Sequence, residues 1–556
     1  MRRFYLLLFV LLLCAAPCAA LAAQEATLWI APAASGDEKP VDAIDWYKSG
    51  KEYWFFIPAS LDMSDVRFGL DGMDSVEISG LGKVRAGDSA AALKPGKYTV
   101  RIGKKKATLH VMRGSEGLPA LYITTASGSL KYIEANKEHH EAGDLVFVGP
   151  AGDEQYRGSL EHIKTRGNSS MTFVKKNYQI KLSSGANLMG FGKAKKWILT
   201  GNYRDKSYLR NQIVLDMAAY AGLPYTPEHI SAEVYINHEY RGLYLFSEKV
   251  EIDDDRIDIP DLEAQTEDLN GGDLSRFPLA GSKKPVKGKY KAYEIPVEPE
   301  DLTGGYLIEY ESYPTRYRQE KSAYFTRKGN VLVIKSPEYV GITQMAYISG
   351  RLQAFENAIF AEDGRDPDSG AHYTEIVDLP SLVAKYMLEE ICKNYDGNSS
   401  SQYFFKPADS RSTLIYAGPA WDYDSSFGSY AQPHNADNVL SGKGMWIANN
   451  DKTAWYPRLY RRAEFREAVA HCWNTKLKAA VEILLGLREP DGSALLSIDD
   501  YAERIRDSVA MEYVRWPRLA KPSTVAQTGH TFDMNLTYLK RFLTDRYNDL
   551  CVEWAE

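Results

Sequence analysis

The sequence predicts an α+β protein: an N-terminal β-sandwich module, immunoglobulin-like, followed by a mixed domain whose C-terminal part, 449–556, is helical. Three observations carry this reading. Between residues 24 and 115, short runs of β-branched and aromatic residues alternate with turn formers. From Asp378 to Gly428 a helical pattern gives way to a polar loop and then to two short strands. Beyond Asn449, apolar residues recur at helical spacing, as at Leu459, Phe465, Val469 and Trp473.

The chain opens on a secretory leader over 1–23. Arg2-Arg3 supply its charge, Leu6 to Leu13 its apolar run, and Ala20-Leu21-Ala22 its small-residue cleavage pattern. That run is shorter than the ~20 residues a bilayer requires, and no later segment is apolar enough to span one. The expectation is a secreted, periplasmic or cell-surface protein with no transmembrane segment once the leader is removed. A length of 556 residues implies several domains. With 44% hydrophobic and 25% charged residues the chain has the composition of a soluble folded protein. A net charge of −7 excludes the basic excess of a nucleic-acid binder. Cys392, Cys472 and Cys551 are too few and too scattered for a disulfide framework or a zinc site. Cys392 reads as a buried side chain in a helix, and one disulfide between Cys472 and Cys551 stays open.

In the first module, Thr27 to Ile30, Glu52 to Ile57, Lys97 to Ile102 and Ala107 to Val111 read as strands, with Pro95-Gly96 as a turn. No catalytic cluster falls among them, so the module reads as a spacer or binding unit. A second β-rich stretch runs from Leu118 to Leu182. It is followed by a helix over Tyr208 to Ala221 and by strands over Ala232 to Asn237 and Gly242 to Lys249. The polar run 261–299, with Gly271-Gly272 and Lys283-Lys284-Pro285, reads as an exposed insertion. A strand follows at Gly304 to Tyr310, and a helix at Gln344 to Phe360.

The chemistry concentrates between Asp378 and Gly428. Asp378 can cap a helix whose apolar face holds Leu379, Leu382, Val383, Tyr386 and Met387. The helix ends at the turn formers Asn394 to Asn398. Gln402 to Lys406 and Thr413 to Tyr416 then form a hairpin, and Trp421-Asp422-Tyr423-Asp424 follows it. Acidic residues thus stand at both ends of one hairpin. Protein kinases use this order: a catalytic-loop aspartate, a hairpin, then an aspartate that holds magnesium. Magnesium takes hard oxygen ligands, usually one or two carboxylates, which Asp422 and Asp424 can supply. The plainer alternative is that these aspartates cap turns.

Arg166-Gly167-Asn168-Ser169-Ser170 is a compact turn whose amides can cradle an anion, with Arg166 adding charge. Lys181, on the strand-like run after it, occupies the position of a small-lobe lysine in the order of kinase parts. Arg210, at a helix start, pairs with a carboxylate or reaches a phosphate. Glu248 and Lys249 end a strand where an adenine can sit, and Asp253 to Asp255 read as an exposed turn. No Gly-x-Ser-x-Gly, His-Glu-x-x-His or Cys-x-x-Cys occurs.

Taken together, these motifs resemble the CotH family, the spore-coat-protein-H kinases. The resemblance is carried by Arg166 to Ser170, Lys175 to Leu182, Leu209-Arg210-Asn211, Glu233 to Asn237, Tyr240 to Leu245, Glu248-Lys249-Val250, Gly304 to Glu309, Lys393 to Asp396 and Trp421 to Asp424, in the family's order. It implies a divergent protein-kinase-like domain over 118–448, with 449–556 as its helical part. It also implies an ATP- and Mg2+-dependent enzyme that phosphorylates serines of secreted or cell-surface proteins. Asp396 then takes the catalytic role and Asp422 the metal, with Asp424 beside it. Arg166 and Lys181 become the phosphate contacts. The ordinary kinase signatures Gly-x-Gly-x-x-Gly, His-Arg-Asp and Asp-Phe-Gly are absent. Ser401 stands where ordinary kinases place an asparagine, five residues after the catalytic aspartate. Two other readings keep the fold: an inactive kinase-like surface assembly protein, and a transferase of AMP or an amino acid.

Overall fold

The structure is a computed structural model that describes residues 26–33, 39–282, 284, 286–450, 454–517 and 530–555. The segment 1–23, expected from the sequence to be a leader, lies outside the described residues. The chain divides into two compact units: residues 1–57 with 62–112, and residues 58–61 with 113–556.

The first unit is built of strands in two sheets. One has the order β2-β1-β5, from β1 (Thr27–Pro32), β2 (Ile44–Asp45) and β5 (Val66–Asp71). The other, β3-β4-β9-β8-β6-β7, combines β3 (Tyr47–Ser49), β4 (Glu52–Ile57), β6 (Val76–Ile78), β7 (Gly82–Val84), β8 (Gly96–Ile102) and β9 (Lys105–Arg113). Alternation along these strands buries Leu28, Ile30, Phe68, Val100 and Leu109. On β1 and β5, Trp29 pairs with Gly69, and a Cβ at Gly69 would lie 2.0 Å from the indole, so only glycine lets the ring lie flat there.

The second unit begins with a closed barrel of seven strands in the order β10-β11-β12-β13-β14-β16-β15. These are β10 (Ala120–Thr125), β11 (Glu141–Val148), β12 (Glu154–Arg166), β13 (Asn177–Asn187), β14 (Lys193–Thr200), β15 (His229–Ile236) and β16 (Glu239–Glu248). The parallel pair β10/β15 closes it, with Leu121 opposite Val234. Leu121, Leu145, Ile163, Trp197 and Phe246 fill its interior. On β13, Tyr178, Ile180 and Leu182 point inward, so Gln179 and Lys181 face outward. Closure leaves the barrel no free edge.

Seven further strands form an open sheet of order β17-β18-β20-β21-β19-β22-β23: β17 (Leu279–Gly281), β18 (Lys289–Tyr293), β19 (Tyr306–Tyr310), β20 (Ser322–Phe325), β21 (Val331–Ser336), β22 (Gln402–Lys406) and β23 (Tyr416–Ala417). The expected exposed insertion at 261–299 is instead largely ordered into this sheet. It supplies α3 (Leu262–Asn270), β17 and β18, and buries Leu262, Leu274, Ala292 and Ile295. Its polar residues satisfy backbone rather than solvent alone. Asp261 caps α3 through Ala264 N at 2.9 Å, and Asn270 Nδ2 donates to Val297 O at 2.7 Å.

The remaining helices are α1 (Lys131–Ala135), α2 (Arg210–Ala221), α4 (Pro314–Tyr317), α5 (Ile342–Phe360), α6 (Leu379–Cys392), α7 (Ala436–Val439), α8 (Ile447–Asn450), α9 (Trp455–Leu459), α10 (Ala463–Cys472), α11 (Lys478–Leu484), α12 (Ile498–Arg515) and α13 (Phe532–Glu553). One large core runs through α2, α5, α6 and the C-terminal helices. Helix α6 is buried on every side, as a central core helix must be. Helix α12 grips the barrel through a buried ion pair: Lys175 Nζ donates to Glu512 Oε1 at 2.7 Å and to Leu243 O at 2.6 Å, while Leu243 N donates to Glu512 Oε2. Cys472 and Cys551 are free thiols, so the disulfide left open by the sequence is not formed.

Candidate active site

The turn between β12 and β13 forms one wall of a cleft of about 350 Å³. Gly167 there has φ +93°, and a Cβ on it would lie 2.1 Å from Ser170 Oγ. The same hydroxyl donates to Arg166 O at 3.0 Å and holds the turn shut. Glycine is therefore a steric requirement. The guanidinium of Arg166 lies over the Trp421 ring, 5.0 Å from its centroid.

The opposite wall comes from the two loops flanking the β22–β23 hairpin. Asp378 caps α6 through Ser381 N at 2.9 Å, and the helix stops at Lys393, which adopts φ +46°. The chain then turns tightly: Ser399 N and Ser400 N both donate to Asp396 O, at 2.7 and 3.0 Å. After β23, Asp422 adopts φ +68°, a conformation tolerated by aspartate better than by most residues. Ser401 Oγ donates to Asp422 Oδ2 at 3.1 Å, so the residue at the asparagine position of ordinary kinases does reach the acidic loop.

The two loops are stitched together. Tyr395 N donates to Ser425 O at 3.1 Å and Phe427 N to Cys392 O at 2.6 Å. Asn211, at the start of α2, accepts from Tyr423 N at 2.7 Å. Arg210 takes the carboxylate option: it is fully buried, paired with Asp205 at 2.5 Å, and donates to Ser426 O at 2.9 Å. Helix α2 thereby fixes the segment around Asp424.

The electrostatics are those of crowded carboxylates. Burial raises the Asp424 carboxyl to about 7, and neighbouring Asp422 adds to the rise. Asp396 is raised by burial too, opposed by the hydrogen bond from Tyr313 and by the charges of Arg316 and Arg204. Glu309 on β19 is raised to about 7 by burial, against the pull of Lys335 at 3.6 Å.

Arg166, Asp396, Asp422 and Asp424 therefore share one cleft. Lys249 lines an adjoining cleft of about 490 Å³ that shares Arg166 and Trp421 with the first; its Nζ is held by Glu251 at 2.9 Å. Two expected site residues lie elsewhere. Lys181 stays on the outer barrel face and pairs with Glu161 at 2.5 Å, because the strand has carried it past the cleft-facing Gln179. Glu248 is buried against Arg256 and accepts from Glu228 N at 3.0 Å, a structural pairing. The cleft also gathers Arg204, Glu309, Glu311, Arg316 and Lys335, to which the sequence reading gave no role. Glu309 had a signal, since it ends the Gly304-Gly305-Tyr306-Leu307-Ile308 motif.

Among the described residues, no cluster of three or more His, Cys, Asp or Glu side chains could hold a metal ion. Two carboxylates beside a hydroxyl suit magnesium, which completes its shell with water and substrate phosphate, and do not suit a closed zinc site.

The family model described as CotH kinase protein matches residues 163–550, the greater part of the chain. No curated protein matches the chain significantly.

Proposed function

Because the chain belongs to the CotH kinase family, we propose that it transfers the γ-phosphate of ATP to serine hydroxyls of secreted or cell-surface proteins. The observation that carries this reading is the meeting of Asp396, Asp422 and Asp424 in one cleft beneath the Arg166–Ser170 turn. In this account the barrel does the work of a kinase small lobe, and the open sheet with α6 that of the large lobe.

The acceptor serine donates its hydrogen bond to Asp396, which takes the proton as the new Oγ–P bond forms. The bond between the γ-phosphorus and the bridging oxygen breaks, and ADP leaves with that oxygen. Asp422 and Asp424 would hold Mg2+, which neutralises phosphate charge when bound. The amides of the Gly167 turn and the Arg166 guanidinium face the phosphates. Lys181 has no part in this scheme. The leader at 1–23 supports export to the periplasm, cell surface or medium, and the N-terminal unit is a spacer or docking module.

Incubation of residues 24–556 with ATP, magnesium and a serine-rich polypeptide tests the reading by mass spectrometry. A gain of one phosphate per modified serine is expected. A gain of AMP or an amino acid would replace the reaction, and absence of both thermal stabilisation by magnesium-ATP and any mass gain would favour an inactive surface protein.

A further inference from the structure

The phenol of Tyr313 donates to Asp396 Oδ1 at 2.7 Å. An acceptor hydroxyl would donate this same bond to the same carboxylate. Tyr313 belongs to the connection 311–321 between β19 and β20, which carries the single-turn helix α4. Ser312, Pro314, Thr315, Arg318 and Gln319 of that connection are exposed, while Tyr317 is buried in a small apolar cluster with Phe325 and Val333. The anchors around Tyr313 itself are polar. Arg316 reaches Glu311 Oε2 at 3.3 Å and Ser400 Oγ at 2.5 Å, with its guanidinium 4.6 Å from the centre of the Tyr313 ring, and Lys137 Nζ donates to Gln319 at 2.8 Å.

Between this connection and the Gly167–Met171 turn lies a second cleft, of about 440 Å³. Tyr313, Thr315, Gln319 and Met171 line it, and it opens onto the site cleft past Arg316 and Asn168, which border both. A segment lying there would end with its hydroxyl at Asp396, but that place is taken by the phenol.

We propose that the cleft between the Gly167–Met171 turn and α4 is the acceptor's binding site, and that Tyr313 occupies the place of the acceptor hydroxyl until the acceptor displaces it. This rests on the kinase reading. The occupant is a polypeptide in extended form, since the cleft is an open trough that leads to a carboxylate. The incoming hydroxyl takes over the hydrogen bond to Asp396 Oδ1, and the Tyr313 phenol swings to solvent with its proton retained. A hydrogen bond to a charged group must be exchanged before the acceptor is seated, which weakens its apparent binding by roughly tenfold.

The test is steady-state transfer from ATP to a serine-rich peptide by the mature chain and two variants. Tyr313→Phe keeps the ring and its stacking on Arg316 but removes the competing hydroxyl. The expected result is an acceptor KM lower by roughly tenfold, with the ATP KM unchanged and kcat equal or higher. Thr315→Trp fills the trough at an exposed position, and is expected to raise the acceptor KM while leaving the ATP KM alone. A fall in kcat for Tyr313→Phe with the acceptor KM unchanged would overturn the proposal, because the phenol would then only orient Asp396. An unchanged acceptor KM for Thr315→Trp would place the acceptor elsewhere. Normal wild-type transfer with either failure overturns this inference alone, whereas no transfer by wild type and Tyr313→Phe alike overturns the kinase reading with it. Transfer gained only in Tyr313→Phe supports both.

Discussion

The hydroxyl of Tyr423 donates to Glu389 Oε1 at 2.8 Å, deep in the core. Tyr423 sits between Asp422 and Asp424, and Glu389 lies one turn before the end of α6. The same carboxylate accepts from Asn394 Nδ2 at 2.8 Å through its other oxygen, and Asn394 Oδ1 in turn accepts from Asp396 N at 3.2 Å. Lys385 Nζ completes the group, donating to both Glu389 and Tyr423 OH. One buried carboxylate therefore sets the spacing between the loop of Asp396 and the loop of Asp422 and Asp424.

Lys385→Met would leave the Glu389 charge buried and uncompensated. The expected cost is about 3–5 kcal/mol, read as a lower midpoint in denaturant unfolding. Tyr423→Phe keeps the ion pair, costs about 1 kcal/mol, and lowers transfer by loosening the metal loop. Unchanged stability in Lys385→Met would remove this network from the account.

Gly167→Ala is expected to weaken nucleotide binding without unfolding the barrel. The alanine must adopt φ +93° and push Ser170 Oγ out of its bond to Arg166 O, at a strain of about 1–2 kcal/mol. Calorimetric titration with magnesium-ATP would read this as a higher Kd. Lys181→Ala is the contrast: its pair with Glu161 is exposed and screened by solvent, so nucleotide affinity stays as in wild type.

Glu233 supplies a pH signature away from the site. Burial raises its carboxyl to about 8, against the hydrogen bond from Ser508 Oγ at 2.6 Å. Because the folded value exceeds the ordinary value of 4.5, its contribution is whole below about 4.5 and is lost as pH climbs toward 8. Glu233→Gln removes that penalty and is expected to raise stability at pH 7 by roughly 3 kcal/mol relative to wild type, with little difference at pH 4. Thermal unfolding across this range checks it, and equal midpoints for both proteins at pH 7 would contradict it.

Much of the site was legible because its parts are local. Asp378 as a cap, the turn formers after Cys392 and the two short strands are short-range signals, and they locate the Asp396 and Asp422 loops. The Arg166 turn was legible for the same reason. What failed depended on long-range geometry. Lys181 lies on the right strand but past the cleft, and sequence order carries no information on where a barrel strand leaves the site. Glu248 meets its partner Arg256 only because the chain folds back after β16. The polar composition of 261–299 concealed an edge of the sheet, since edge strands bury one face and tolerate charge on the other. Arg316 and Tyr313 reach the site from an exposed connection whose sequence has no periodic signal at all.

The most direct measurement is transfer of labelled γ-phosphate from ATP to a serine-rich acceptor by residues 24–556, beside Asp396→Ala and Asp422→Ala. Label is expected with the wild type alone, with nucleotide binding retained in Asp396→Ala and magnesium-dependent nucleotide binding lost in Asp422→Ala. Label at the wild-type level in Asp396→Ala would contradict the role of Asp396 in phosphoryl transfer.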